Sequence, residues 1–342
     1  MSLKNLNVTI KIPKLLEDNL KNKKINKIYK SFEKTLNINE NFIVGVSGGP
    51  DSLALAFLAK IFAIKKKLKV KFFIVNHNLR SNSAIEAKLV KRILKKQTIN
   101  SQILTWHGKK PTKNIQSLAR KKRYELLFKE CDKFKANNVL LGHHQNDLFE
   151  NFFIRILRGS GLKGLISLGQ KSKIENKNLL RPLINHKKED LIFLAKKVFD
   201  FYVNDPSNED QKYQRIKIRS LIKELQLNGL DRKKFNNTIK NLKNSNNVID
   251  FYVGHNLKNN SFFSMQNKKL ILNKEFFEQP YEIVFRSLSA SIRSIGKKYY
   301  PVRGRKLDRV ILDIEKNRLL RLTLGGCVIE KVSQTVIISK EY

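Results

Sequence analysis

The chain has 342 residues, 69 of them Lys or Arg against 29 Asp or Glu, for a formal net charge of +40. That length accommodates two or three domains with a sizeable core. The charge predicts a polyanionic partner, because cationic surfaces gain affinity for nucleic acid by releasing condensed counterions. An A/T-rich genome would also enrich Lys and Asn, so charge by itself leaves the partner open. Two cysteines, Cys131 and Cys327, form no CxxC pair, which argues against a zinc or redox site and for a reducing compartment. No apolar run reaches the ~18 residues of a membrane helix. The N-terminal stretch alternates polar and apolar residues, unlike a signal peptide. A soluble, cytoplasmic protein with no membrane contact is expected.

Along the chain, Ile25, Ile28, Tyr29, Phe32 and Leu36 recur at helical spacing within residues 1–40. Four apolar runs follow: FIVGV (42–46), VKFFIVN (70–76), QILTW (102–106) and NVLLGH (138–143). Helical patterns at 51–64, 83–97 and 114–131 separate them. Strands alternating with helices predict an α/β fold, an open, parallel, doubly wound sheet. Continuous apolar strands fit a sheet covered on both faces. Ligands of such sheets bind beyond the carboxyl ends of the strands, which selects Ser47–Ser52, His77–Arg80 and His143–Glu150.

Residues 150–225 read as a helical, Arg-rich region. One helix is expected after a capping Asn185, with Leu191, Leu194, Ala195 and Val198 facing inward. FNNTIKNLKNSNN (235–247) reads as a solvated helix face or connector. The tail shows helical patterns at 281–295 and 306–317, then a hairpin whose strands flank a Gly-Gly turn. The expected division is therefore a catalytic domain over 1–225, a helical connector over 226–250 and a small α+β domain over 251–342.

The sharpest local signal is SGGPDS, residues 47–52, between the first strand and its helix. Ser47, Gly48 and Gly49 let successive backbone N–H groups converge into an anion-binding nest. Pro50 suits the first helical position, and the helix N-terminus adds positive potential for phosphate. There is no GxxxxGK[ST] and so no phosphate-neutralising lysine.

SGGPDS resembles the SGGxDS loop of the PP-loop, or N-type ATP pyrophosphatase, superfamily, whose members split ATP between its α and β phosphates. Further segments resemble the tRNA(Ile)-lysidine synthetases: VNHNLRSNSAIEA (75–87), NIQSLARKKRYELL (114–127), LLGHHQNDLFENFFIRILRGSGLKGL (140–165), RPLI (181–184), NDPSN (204–208) and YQRIKIR (213–219). The likeness is strong over roughly 40–225. The tail resembles the family's substrate-binding domain without the further domain of longer members. Departures from the family pattern are Gly142, Asn146, Leu148, Asn151 and Ile216.

The resemblance implies ATP, Mg²⁺, free L-lysine and the CAU-anticodon tRNA(Ile) as ligands, with no protein partner. It implies adenylation of the wobble cytidine, then displacement of AMP by lysine. Ser47, Gly48, Gly49 and Ser52 would hold pyrophosphate, with Pro50 between them. Asp51 reads as a Mg²⁺ ligand, or otherwise as a first-turn carboxylate favouring the helix dipole. Asp147 and Glu150, three apart on one helix face, suit the lysine ammonium, a second Mg²⁺ or a proton. Arg120 and Arg123 suit polyphosphate, and Arg123 is counted with the catalytic residues. His143 or His144 can touch phosphate, although such pairs also serve structure. Arg158 in RGSGLKG, the basic edge of Arg215 and Arg219, and Arg303 and Arg305 near Tyr299 and Tyr300 suit tRNA. Each of these cations also fits an ordinary solvated surface. A tRNA thiolase, a small-molecule amide ligase and a non-enzymatic RNA-binding protein are the rival readings.

Overall fold

The computed structural model describes residues 12–79, 82–108, 115–174, 176–203, 214–298 and 302–341. Arg80, NDPSN, Tyr213, Tyr299 and Tyr300 lie outside the described residues. The chain divides into two compact units, Met1–Leu230 and Asp231–Tyr342.

The first unit opens with two helices, α1 (Lys14–Lys21) and α2 (Lys23–Thr35). Asn22 caps α2, accepting the N–H groups of Lys24 and Ile25, and Ile25, Ile28, Tyr29 and Phe32 are buried as their spacing predicts. Then come β1 (Phe42–Val46), α3 (Pro50–Lys65), β2 (Val70–Asn76), α4 (Ser83–Lys96), β3 (Ser101–Thr105), α5 (Ile115–Lys133) and β4 (Asn138–Leu140). They are followed by α6 (Gln145–Ile156), the short α7 (Leu162–Leu165), β5 (Lys171–Ile174), β6 (Lys177–Leu180), α8 (Lys188–Phe199) and α9 (Gln214–Leu227). The six strands lie in the order β3-β2-β1-β4-β6-β5. All neighbours are parallel except the edge hairpin β5–β6.

Strand alternation divides the core. Phe42, Val44, Val46, Phe72 and Ile74 pack with α2, α3, α4 and α8 on one face. Ile43, Phe73, Val139 and Leu179 meet Tyr124, Leu127, Phe128 and Cys131 of α5 on the other. α3 is buried continuously from Ser52 to Ala59, because α8 covers the side turned from the sheet with Leu191, Leu194, Ala195 and Val198. Two sequence expectations change here. Residues 150–225 are not purely helical, since β5 and β6 extend the sheet. Nor does Asn185 cap a helix: α8 begins at Lys188 without a side-chain cap, and Glu189 and Asp190 in its first turn favour the dipole instead.

The second unit holds α10 (Arg232–Asn259), β7 (Ser261–Ser264), β8 (Lys269–Leu272), α11 (Tyr281–Gly296), α12 (Gly304–Glu315), β9 (Arg321–Leu324), β10 (Cys327–Val332) and β11 (Thr335–Lys340). The strands form an antiparallel sheet in the order β7-β8-β11-β10-β9. Its Leu272, Ile329, Val336 and Ile338 pack on Leu288 and Ile292 of α11 and on Leu307, Ile311 and Ile314 of α12. Residues 226–250 divide between the end of α9 and the long α10. Asp231 caps α10, accepting the Lys234 N–H at 2.8 Å. Asn246, inside the polar 235–247 stretch, is buried and accepts from Arg286.

Candidate active site

The chain runs outward from the sheet centre through β1, β2 and β3, then returns to place β4 on the other side of β1. That reversal opens a crevice at the carboxyl ends of β1 and β4, where the loop Ser47–Gly49 and the start of α6 meet. Gly48 has φ +87°, and a Cβ there would lie 2.5 Å from Val90 Cγ2 and 3.0 Å from Val203 Cγ2. Conformation and space both require glycine. The N–H groups of Ser47 and Gly48 each donate to Ser52 Oγ at 3.1 Å, and that hydroxyl donates to the Gly49 carbonyl at 2.9 Å. The two amides thus converge on one point, held by the protein's own hydroxyl. Rotation of Ser52 would hand both donors to an anion.

Asp51 follows Pro50 in the first turn of α3. Glycine at 142 lets the end of β4 close against this turn, since a Cβ there would stand 3.1 Å from the Asp51 carbonyl and the Ser52 nitrogen. The buried His144 lies with Nε2 3.4 Å from Asp51 Oδ2 and 3.6 Å from Asp147 Oδ2. The His144 N–H donates to Asp147 Oδ2 at 2.9 Å, and Nδ1 accepts from the Asn146 N–H at 3.2 Å. This reciprocal cap fixes the start of α6. Burial opposes charging His144, but the contact with Asp51 and the charges of Asp147 and Asp51 outweigh it and raise its pKa. Burial also works against ionising Asp147, yet the charge of His144, the His144 N–H and Arg215 hold its pKa below the usual carboxylate value.

Cations line the rest of the crevice. Arg120 stacks on the Tyr124 ring, 5.1 Å from its centroid. Arg123 is electrostatically coupled to Arg120 and Arg215. Arg181, from the RPLI segment, is buried and donates to the Gly169 carbonyl and Ser172 Oγ, both at 3.0 Å. Burial first, then Arg181, Arg120 and Arg123, push the pKa of His143 down to about 3 despite Asp147. His143 is a neutral ring.

The structure therefore brings together Ser47, Gly48, Asp51, Ser52, Arg120, Arg123, His143 and Asp147. Glu150 and Arg219 are engaged with each other, with Arg219 Nε 2.6 Å from Glu150 Oε1. Arg158 donates to Gln214 Oε1 at 3.2 Å. Arg303 and Arg305 are exposed at the start of α12 in the second unit. Sequence reasoning assigned no role to Arg181, although RPLI carried part of the resemblance, and none to the bond that Ser52 makes.

Several buried polar atoms here have no hydrogen-bond partner among the described residues: Asp51 Oδ1, both ring nitrogens of His77, His143 Nδ1, Asn146 Oδ1, Glu150 Oε2 and Arg181 Nε. Each such atom costs roughly 1–3 kcal/mol of desolvation, so their concentration marks a site completed by a ligand. Asp51 Oδ1 fits a hard cation that takes one protein carboxylate and completes its shell with phosphate and water oxygens. Among the described residues no group of three His, Cys, Asp or Glu side chains could hold a metal without such a ligand. A separate hollow of about 460 Å³ lies near Val70 and Ser101, at the amino ends of β2 and β3. That is the wrong end of a parallel sheet for this chemistry.

Residues 18–225 match the PP-loop domain family, the class that a phosphate loop at the switch point of such a sheet defines. The chain is 34% identical over 321 residues to the tRNA(Ile)-lysidine synthase of Orientia tsutsugamushi, covering 89% of this chain and 70% of that protein. It is 33% identical over 308 residues to that of Wolbachia pipientis wMel, covering 89% and 71%. The chain belongs to the tRNA(Ile)-lysidine synthase family. Among solved structures, the U34-tRNA thiolase NcsA from Methanococcus maripaludis superposes with a TM-score of 0.55 at 19% identity, covering 65% of this chain and 79% of that one. That likeness shows the fold alone. No helix among the described residues is long and apolar enough to cross a membrane.

Proposed function

We propose that this protein is an ATP-dependent ligase that joins L-lysine to C2 of the wobble cytidine in the CAU anticodon of tRNA(Ile), in the cytoplasm. The observation that carries this reading is the buried, unpaired Asp51 Oδ1 beside two loop amides that converge on one point. In the first step the cytidine O2 attacks the α-phosphorus of ATP, the bond to the β-phosphate oxygen breaks, and pyrophosphate leaves. Ser47, Gly48 and Ser52 suit it, with the positive end of α3 behind them. Asp51 would hold Mg²⁺, which when bound neutralises charge on the phosphates. Arg120 and Arg123 suit the α-phosphate oxygens.

In the second step the lysine ε-amine attacks C2, the C2–O bond breaks and AMP leaves. The proton shed by the amine passes through the carboxylates to solvent. Asp147, held ionised, suits the incoming ammonium, and the free Oε2 of Glu150 can share it. Arg303, Arg305 and Lys306 crowd the first turn of α12, where cations oppose the helix dipole. That placement costs stability and favours a polyanion such as tRNA. A thiolase reading has little to rest on: burial pushes the Cys131 thiol up to about 12, and Cys327 is buried with its Sγ donating to the Ile292 carbonyl. Incubation with ATP, Mg²⁺, labelled lysine and CAU-anticodon tRNA(Ile) should place label in the RNA. Label staying out while a sulfur donor drives AMP release would sink this reading.

A further inference from the structure

His77 leaves the carboxyl end of β2 three residues beyond Ile74, which pairs with Val46 at the end of β1. It belongs to the same rim as the phosphate loop, on the β2 side, whereas His143 and Asp147 stand on the β4 side. Both of its ring nitrogens are buried and neither has a hydrogen-bond partner among the described residues. His186 is also buried with both ring nitrogens unpartnered among the described residues, but it lies before α8 and not at a strand end on this rim, so it is the position of His77 together with its open nitrogens that points to a ligand. Burial first, and then the Arg123 guanidinium, lower the His77 pKa to about 4. The ring is therefore neutral, with one donor and one acceptor. A buried ring N–H with no partner gains one when an anionic oxygen enters, because that oxygen accepts from it.

We propose that His77 binds a phosphate oxygen of the bound nucleotide, donating from one of its unpartnered ring nitrogens, as an anchor on the β2 side of the loop. The proposal rests on the ATP-using reading of the site. It adds a contact that neither the phosphate loop nor the carboxylates supply.

The test is ring NMR of the histidines in the wild-type chain, which has six, with assignment by His77→Asn. Spectra are recorded across pH with and without Mg²⁺ and a non-hydrolysable α,β-methylene analogue of ATP. Binding should move the His77 ring signals and raise its pKa by at least one unit, because a phosphate replaces part of the repulsion from Arg123. Saturation by the analogue with the His77 shifts and pKa unchanged would overturn the proposal while leaving the ATP reading intact. Failure of the analogue to bind would overturn both. In steady state, His77→Ala should raise KM for ATP about tenfold, with KM for lysine and tRNA unchanged and partial recovery in His77→Asn. An equal rise for all three substrates, or none for ATP, would count against it.

Discussion

Arg219 Nε donates to Glu150 Oε1 across 2.6 Å, tying α9 to α6, with Glu150 almost fully buried and Arg219 about one-third exposed. One oxygen of Glu150 is therefore already engaged by a guanidinium. Glu150→Gln should lower the stability of the first unit by about 1.5–3 kcal/mol, the usual worth of a hydrogen bond to a charged group. Trp106 is the sole tryptophan and follows β3, so its fluorescence during urea unfolding reports on this unit. An unchanged midpoint would mean that the pair contributes nothing.

Asp51→Asn removes the charge that suits a metal while keeping the shape of the first turn of α3. AMP formation should fall by about 10²–10³-fold, the typical cost of losing one preorganised electrostatic group, while tRNA affinity stays within a factor of two or so. A variant with normal AMP formation and lost tRNA affinity would rule out the metal role.

Gly48→Ala forces a side chain into φ +87° with its Cβ 2.5 Å from Val90 Cγ2. The strain alone is of order 1–3 kcal/mol, and relieving it displaces the amides that converge on Ser52 Oγ. ATP-dependent pyrophosphate release should drop sharply while Trp106 still reports a folded unit. Full activity in this variant would show that the loop geometry is not needed.

His143 gives a pH signature whose sign follows from its lowered pKa. The folded protein keeps the ring neutral down to about pH 3, whereas the unfolded chain protonates it near its ordinary value of ~6.5. Its contribution is fully present above that value and is lost as pH falls towards 3. Within the window it changes stability by about 1.4 kcal/mol per pH unit. His77 acts in the same direction, while the raised pKa of His144 acts in the opposite one. Urea unfolding of His143→Asn between pH 6 and pH 5 should show a slope shallower than wild type by about that amount. Identical slopes would place His143 in a far more polar setting than its burial implies.

Much of the first unit was legible in the sequence because each strand is an unbroken apolar run and each helix a distinct periodic one. FIVGV and VKFFIVN coincide with β1 and β2 to the residue. The β5–β6 hairpin was not legible: KSKI and KNLL are short, half polar and at a sheet edge, where one side faces water. The start of α8 is not legible in the sequence, because a side-chain cap and acidic first-turn residues do the same electrostatic work. The antiparallel sheet of the second unit was half visible. The hairpin around Gly325 and Gly326 stood out, but β7 and β8 lacked the alternation that marks a strand.

The sequence by itself determined the class of chemistry, because the SGGPDS turn needs only local backbone geometry and one helix start. Its net charge of +40 pointed towards a polyanionic partner without fixing one, because composition alone also reflects codon bias. Only the tertiary structure decided how the charges are spent. Which carboxylate is free and which is neutralised, and which histidine carries a partner, depend on residues far apart in the chain: Glu150 with Arg219, Asp51 with His144. Electrostatic energies fall with distance and rise with burial. Neither quantity exists for a side chain until β1, β4, α5 and α9 have been brought to one rim.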